Sequence, residues 1–289
     1  MIKRDILTTD LLYVWSQESN EVYSDIHCHA EYELYYFICG DVERRIEGRR
    51  YVMTPESLLL IPPNSVHEVT IQSTRPHRRI SVHFVPELLD DAERSLLLEL
   101  FHAPLLYYPE VSVRRIGFLV QSVLDCKDMD EPLQKAAIKH RTISLLTHIY
   151  QLHLENMVCT APKNERIQAV LQYLNRNLRE PVSLDRLARE FYISKNHLNV
   201  VFHRETGTTI HQYVRIKRLV MARQEIRKGT TAEEAAYKAG FNDYSNFYRA
   251  YKAFFGIVPS DKVSEWPVVG ERCGVLGKDR DKVCSVNEL

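Results

Sequence analysis

Hydrophobic residues follow two different spacings along the chain. Up to residue 86, short runs of β-branched and aromatic residues, such as ELYYFIC from Glu33 and ISVHFV from Ile80, are separated by turn-forming residues. Runs of this length between Gly, Pro and Asn predict β-strands. Beyond residue 87, apolar residues recur three and four positions apart, which predicts helices. The expected fold class is therefore α+β, with a β-rich N-terminal domain followed by an all-α C-terminal domain.

Three helices are expected directly after the strands, over residues 87–101, 113–124 and 132–154. Each carries apolar residues along one side at helical spacing. Those apolar sides can pack against the β-rich domain or against a second copy of the chain, and the second arrangement would make a homodimer.

The C-terminal part contains an internal repeat. The segment Ser183–Gly207 aligns with Thr231–Gly256, and a small residue falls at the same place in each copy, at Ala188 and Ala236. Each copy has a capping Ser or Thr, a short helix, a turn, and a second helix that ends at a glycine. An alanine in the first helix allows two helices to cross closely. The repeat therefore predicts two helix-turn-helix units.

The second helix of each unit presents polar and basic side chains on its outward face. Such side chains read base edges or hold phosphates in a major groove, although any one of them also fits an ordinary solvated surface. The candidate DNA-binding residues are Ser194, Lys195, Asn196, Asn199, His203, Arg204, Tyr244, Ser245, Asn246, Tyr248, Arg249 and Lys252.

The segment Thr209–Lys228 connects the two units and contains neither Gly nor Pro. It predicts one continuous helix of about 30 Å, close to the ~34 Å between successive major-groove faces on one side of B-DNA. Its basic residues are candidates for phosphate contact or for a solvated face. They are Arg215, Lys217, Arg218, Arg223, Arg227 and Lys228.

The zero net charge of the chain conceals an asymmetry. Residues 1–162 carry 16 Lys and Arg against 23 Asp and Glu, whereas residues 163–262 carry 18 against 10, and residues 263–289 carry 4 against 5. A basic C-terminal module joined to an acidic N-terminal one favours an anionic polymer as the partner of the second.

The residues Glu165–Lys262, and most clearly GFNDYSNFYRAYKAFFGIVPSDK from Gly240, resemble the AraC/XylS family of bacterial transcription regulators. Three departures stand out. Val200 occupies a position where the first reading helix of the family commonly has Arg, and Ala232 and Ala235 stand where the second unit usually has Ile. Val258 precedes the proline of the closing motif. The resemblance implies a ligand-responsive, sequence-specific DNA-binding protein that is not an enzyme. Its expected partners are double-stranded promoter DNA, a small-molecule effector such as a sugar and a second copy of the chain, with RNA polymerase as a further candidate; activation and repression both remain open.

The stretch HCHAEYE from His27 places two histidines and Glu33 at the spacing of the first motif of a cupin barrel, a sensor domain common in this family. The stretch PPNSVH, ending at His67, looks like the second motif. Glu56 and Asn64 stand where glycines are usual in that motif. The resemblance therefore implies a cupin-like β-barrel with appended helices.

Four side chains are the predicted effector-binding residues, namely His27, His29, Glu33 and His67. The same four are candidate metal ligands, because three imidazoles and one carboxylate suit Mn, Fe, Ni or Zn. In the alternative, they line a small-molecule pocket without a metal, and no cofactor is required. Further candidate pocket residues, whose facing the strand pattern leaves open, are Tyr35, Arg44, Arg79 and His83.

The predicted domains are a sensor barrel over residues 1–86, a helical, dimerising extension over 87–158, a double helix-turn-helix over 163–262 and a flexible tail over 263–289. No signal peptide and no apolar run of about 18 residues is present, so a cytoplasmic protein without membrane contact is expected. Two alternative functions remain at this point: a cupin-type metalloenzyme with an accessory basic domain, and a DNA-binding protein whose barrel only dimerises.

Overall fold

The computed structural model describes residues 3–101, 107–108, 114–155 and 164–261. The predicted tail and residues 156–163, between the predicted helical extension and the double helix-turn-helix, lie outside these residues.

Ten strands form two antiparallel sheets. They are β1 Lys3–Thr8, β2 Leu12–Ser19, β3 Ser24–His27, β4 Tyr32–Cys39, β5 Val42–Ile46, β6 Arg49–Val52, β7 Ser57–Ile61, β8 His67–Ile71, β9 His77–Phe84 and β10 Tyr107–Tyr108. The larger sheet has the order β1-β2-β9-β4-β7-β10 and the smaller has the order β3-β8-β5-β6. Among the described strands none is paired in both sheets, so the predicted barrel is an open sandwich of two facing sheets.

Alternation of side chains along each strand separates two apolar layers. On β4, Leu34 belongs to the layer that packs against the helices, together with Val82 of β9. The next residue, Tyr35, points into the space between the sheets and packs with Leu59 of β7 and Val69 of β8. The larger sheet is therefore covered on both faces, and the space between the sheets is an interior of its own.

Nine α-helices follow in the described residues. They are α1 Asp91–Leu97, α2 Arg114–Leu124, α3 Glu131–Leu154, α4 Glu165–Arg176, α5 Leu184–Glu190, α6 Lys195–Thr206, α7 Ile210–Arg227, α8 Ala232–Lys238 and α9 Tyr244–Phe255.

The prediction of one continuous helix over residues 87–101 is wrong. A 3₁₀ turn occupies Pro86–Leu88, α1 begins only after Asp90, and a second 3₁₀ turn follows at Leu98–Phe101. The Asp90 side chain accepts a hydrogen bond from the Glu93 backbone N–H, and the Glu93 carboxylate accepts one from the Asp90 N–H. This reciprocal cap starts the helix four residues later than the apolar spacing suggests.

The two predicted helix-turn-helix units are present as α5–α6 and α8–α9, and the continuous connecting helix is present as α7. Helices α6 and α9 both end at glycines in the left-handed region, Gly207 and Gly256, each with φ 75°. Phe202 and Phe247 lie in one apolar core shared by α4 to α9. Among the described helices, none is long and apolar enough to span a lipid bilayer.

Candidate functional site

The strands bring the four predicted effector and metal residues together between the sheets. His27 ends β3 and pairs in register with His67 at the start of β8. His29 lies in the connection to β4, which carries Glu33. One donor atom of each of the four side chains lies within 4.8 Å of the others. Three of the side chains are buried, and His27 is half-buried at the edge of the site.

Hydrogen bonds fix the tautomers of two of these histidines. The Nδ1 atoms of His29 and His67 lie 3.1 Å and 2.8 Å from the carbonyl oxygens of Glu31 and Ser65. A carbonyl oxygen can only accept, so both Nδ1 atoms carry protons. The Nε2 atoms then face the same Glu33 Oε2 at 3.1 Å and 3.2 Å. In a neutral imidazole whose Nδ1 carries the proton, the Nε2 atom has a lone pair. Lone pairs of two Nε2 atoms would repel the Glu33 carboxylate, so a proton or a cation belongs between each Nε2 atom and Glu33 Oε2.

The surroundings set the charge of each group. Burial would raise the pKa of the Glu33 carboxyl, but the neighbouring imidazoles hold it well below its usual value. Burial and the nearby His27 lower the pKa of His67 well below its usual value. For His29, burial is the largest single cause and lowers the pKa, but the hydrogen bond to Glu33 and the charges of Glu33 and Glu31 together outweigh it, so the pKa is raised. The site thus holds an ionised carboxylate beside one imidazole that stays neutral.

The further pocket candidates all face the same interior. Arg44 and His83 lie 3.8 Å and 3.9 Å from Glu33 Oε1. Arg79 donates a hydrogen bond of 3.0 Å to Gln17 and lies over the Trp15 ring. Burial lowers the pKa of His83 to about 3. The polar row continues along β9 to residues that were not predicted, Ser81 and His77, for which the signal was the alternation of polar and apolar residues in HRRISVHF.

The candidate DNA-binding residues lie on α6 and α9 or cap them. Ten of the twelve are exposed, whereas Asn199 and Tyr244 are half-buried. The hydroxyl of Ser194 accepts a hydrogen bond from the His197 backbone N–H as the N-cap of α6. Arg249 donates to Asn246 at 2.5 Å along the outward face of α9. These two surfaces are available for a partner, and contact with DNA stays a prediction.

Several basic residues of α7, which were candidates for phosphate contact or for a solvated face, make intramolecular contacts instead, whereas Lys228 is exposed. Arg218 donates to the carbonyl oxygens of Leu178 and Glu180, and Arg223 is buried against Phe255. Lys217 is also buried, where it pairs with a carboxylate of the sensor domain. The apolar residues of α7 do not fall on one side of the helix, so their spacing did not predict which of its basic residues pack against the rest of the protein.

Two family models match the chain. The first, described as an AraC-like ligand binding domain, matches residues 12–146, and the second, a helix-turn-helix domain, matches residues 187–263. The fold and these matches define a class of protein: a ligand-binding domain joined to a DNA-binding domain.

Relatives named as transcription regulators or resistance proteins support the same class. The XylDLEGF operon transcriptional activator 2 of Pseudomonas putida is 31% identical over 105 residues, which cover 35% of this chain and 67% of that protein. The multiple antibiotic resistance protein MarA of Escherichia coli is 29% identical over 96 residues, which cover 32% and 74%. The regulator YbfI of Bacillus subtilis is 22% identical over 223 residues, which cover 73% and 78%.

Among solved structures, ToxT from Vibrio cholerae aligns with a TM-score of 0.41 at 12% identity, covering 86% of this chain and 97% of ToxT. A probable AraC family transcriptional regulator from Rhodopseudomonas palustris aligns with a TM-score of 0.32 at 27% identity, covering 34% and 93%.

The chain belongs to the AraC/XylS family of transcription regulators. Its partners are DNA and a small-molecule effector, and it is not an enzyme. The alternative of a cupin-type metalloenzyme is therefore wrong, and the N-terminal domain is a ligand-binding domain rather than only a means of dimerisation.

Proposed function

We propose that this regulator transmits occupancy of the site between its sheets to the DNA-binding domain through the two segments that carry the histidines. In this proposal His27, His29, Glu33 and His67 bind the effector, and the outward residues of α6 and α9 bind promoter DNA. The proposal rests on one observation: along both segments, successive side chains face alternately the site and the core of the DNA-binding domain.

The first segment consists of the last residue of β3 and the connection from β3 to β4. Its residues His27 and His29 face the site, whereas Cys28 and Ala30 pack into the core of the DNA-binding domain. The next residue, Glu31, joins both sides. Its carbonyl accepts from His29, and its buried carboxylate accepts from Arg227 of α7 at 2.8 Å. A displacement of the His29 ring would therefore shift the ion pair that holds the end of α7.

The second segment leads into β8 and has the same alternation. His67 faces the site, whereas Val66 packs into the core of the DNA-binding domain. The carbonyl of Asn64 accepts a hydrogen bond from the buried ammonium of Lys217. Because both segments contact α7 or its core, a ligand that binds more tightly to one arrangement of the segments would favour one arrangement of the two domains.

Glu47 anchors the interface beside these segments. Its carboxylate accepts hydrogen bonds from the Tyr213 hydroxyl at 2.6 Å, the Lys217 ammonium at 2.7 Å and the Val66 backbone N–H at 2.8 Å. A cavity of ≈ 480 Å³ adjoins it and is lined by residues of both domains, among them Gln168. The interface thus combines a fixed anchor with space in which neighbouring side chains can rearrange.

A divalent transition metal fits the four residues of the site. Histidines that bind a metal commonly donate their other ring N–H to a backbone carbonyl, as His29 and His67 do here. The Nε2 atom of His67 is buried 3.2 Å from Glu33 Oε2, without a well-formed hydrogen bond. When bound, the metal would supply the positive charge that the lone pairs and the Glu33 carboxylate share, and it would leave room for effector atoms as further ligands.

A second copy of this chain and RNA polymerase are further proposed partners. Three helices after the strands each expose a large apolar side chain, namely Phe118 on α2, Leu96 on α1 and Leu133 on α3. Such side chains support a homodimer formed through the helical extension. In such a dimer, α6 and α9 of each copy would bind the same promoter DNA.

One experiment tests site occupancy and coupling together. The full-length protein is stripped with a chelator and reloaded with Mn²⁺ or Zn²⁺, its metal content is measured, and its affinity is determined for a duplex selected from a random pool. We expect metal uptake and a severalfold change in DNA affinity for the wild type. Arg227→Met should take up metal without that change, because the ion pair to Glu31 is lost.

Lys228→Met is the matched control, since this neighbouring cation pairs only with Glu225 of its own helix among the described contacts. It should behave as the wild type does. His67→Gln should abolish uptake, whereas His140→Gln on the exposed side of α3 should not. DNA affinity that ignores occupancy, or identical behaviour of the Arg227 and Lys228 variants, would contradict the coupling. Absence of uptake in the wild type would reject the metal and leave the four side chains to the effector alone.

A further inference from the structure

The side chain of Arg44 is buried in the sensor interior and makes no hydrogen bond with the described residues. It lies on β5 between the two sheets and is 0% exposed. Its guanidinium lies 4.2 Å above the Tyr35 ring. None of its three nitrogens has a hydrogen-bond partner, and its nearest carboxylate, Glu33, is 3.8 Å away. An arginine stays charged at every pH a protein encounters, and this buried cation has no hydrogen-bonded counter-ion.

The carboxylates of this interior are held by histidines rather than by Arg44. Imidazoles surround Glu33, and Asp25 lies at the edge of the interior, 3.5 Å from His27. Glu43, the neighbour of Arg44 on β5, points to the opposite face and pairs with Arg45 and Arg50 at 2.9 Å and 2.5 Å. A divalent metal at the histidines would add positive charge. Water could satisfy the N–H groups of Arg44, but it would not supply a negative charge in contact with them.

Other polar atoms around this interior are also without partners. Both ring nitrogens of His83 and the Ser81 hydroxyl are buried and make no hydrogen bond. In register across the larger sheet they stand beside the aromatic residues Tyr13 and Trp15 of β2. The interior thus offers a buried cation, several unused donors and an aromatic wall, which together suit a small molecule with an anionic group and an organic body.

Resting on the proposed function, we propose that the effector is a small organic acid whose carboxylate binds the guanidinium of Arg44 between the two sheets. A planar guanidinium matches a carboxylate through two parallel hydrogen bonds, and both charges gain from the dry surroundings. His83 and Ser81 then contact polar atoms of the same molecule, and Glu33 keeps its place among the histidines. A neutral sugar would leave the buried charge of Arg44 uncompensated.

The test compares acids with neutral molecules of similar shape on the full-length protein. The probes are D-galacturonate against D-galactose, succinate against 1,4-butanediol, and phenylacetate against 2-phenylethanol, with D-galactose 6-phosphate as a separate arm. Binding is measured by thermal shift and calorimetry on the wild type, Arg44→Gln and Arg45→Gln. Arg45 is the matched control, because it is the next residue of the same strand and lies on the outer face, where it pairs with Glu68.

We expect at least one acid to stabilise the wild type while its neutral counterpart does not, with binding weakened about tenfold or more by Arg44→Gln and little changed by Arg45→Gln. Without ligand, Arg44→Gln should fold as stably as the wild type or more so, because a buried unpaired charge has been removed. The proposal is overturned if no acid stabilises the wild type more than Arg44→Gln, or if only the phosphate ester binds. A neutral sugar that binds and alters DNA affinity would overturn this inference while leaving the proposed function intact.

Discussion

The two domains of this regulator place polar chemistry on opposite sides of their folds. Between the sheets of the sensor domain, Glu33, Arg44 and His67 are buried, and several of their polar atoms lack partners. The interior of the DNA-binding domain is formed by apolar and aromatic side chains such as Phe202 and Phe247, and ten of its twelve candidate binding residues are exposed. Binding a small molecule requires a polar interior, whereas binding a duplex requires a polar surface on a rigid apolar core.

The difference has an energetic counterpart. Apolar burial stabilises the DNA-binding domain directly, by about 25 cal/mol for each Å² removed from water. Buried charges between the sheets cost free energy until a ligand compensates them. The sensor domain is therefore the one whose stability should respond to a bound molecule.

The largest effect is expected from the core of the DNA-binding domain. Phe247→Ala removes a fully buried ring on α9 and should lower the free energy of unfolding by about 3–5 kcal/mol in urea titrations. Tyr248→Ala is the matched control, because that ring belongs to the exposed face of the same helix. It should change stability by no more than about 0.5 kcal/mol. Similar losses for the two variants would refute the division between core and surface.

The next effect belongs to the interface between the domains. Glu47→Gln removes the charge that pairs with the buried ammonium of Lys217, and should cost roughly 2–3 kcal/mol in the same titrations. The double variant Glu47→Gln with Lys217→Met should recover part of that loss, since no unpaired cation remains. If the double variant is less stable than the sum of the two single variants, the ion pair is not the origin of the effect.

The smallest change in stability, with a clear change in function, is expected on the outward face of α9. Arg249→Ala should alter the free energy of unfolding by less than about 0.5 kcal/mol and weaken promoter binding by about 1–3 kcal/mol in gel-shift titrations. Lys135→Ala, an exposed cation of α3, serves as the control and should leave DNA affinity unchanged. Unchanged affinity of Arg249→Ala would remove this residue from the proposed DNA surface.

Local pattern was enough to predict several features of the chain. Apolar spacing and the repeated glycines predicted both helix-turn-helix units, and Gly207 and Gly256 do end their helices in the left-handed region. The resemblance of the HCHAEYE and PPNSVH stretches to cupin motifs predicted which four side chains would meet. Glu56 and Asn64, noted as replacements for glycines, adopt φ angles of 61° and 59°. The helix-turn-helix units and the two φ angles depend on contacts between residues near in sequence or on backbone geometry at one position. The meeting of His67 with His27 depends on the pairing of β3 with β8, and it was predicted only through the resemblance to cupin motifs.

Other features were decided only by the tertiary structure. The sequence shows that Arg44 and Arg45 are adjacent cations, but only the packing of the second sheet decides that one is buried without a hydrogen bond, 3.8 Å from Glu33, and the other pairs with Glu43 and Glu68. Likewise, the cations of α7 were indistinguishable until Lys217 and Arg227 met carboxylates of the sensor domain. The physical reason is common to both cases. The energy of a charge depends on the dielectric and the partners around it, and distant parts of the chain supply both.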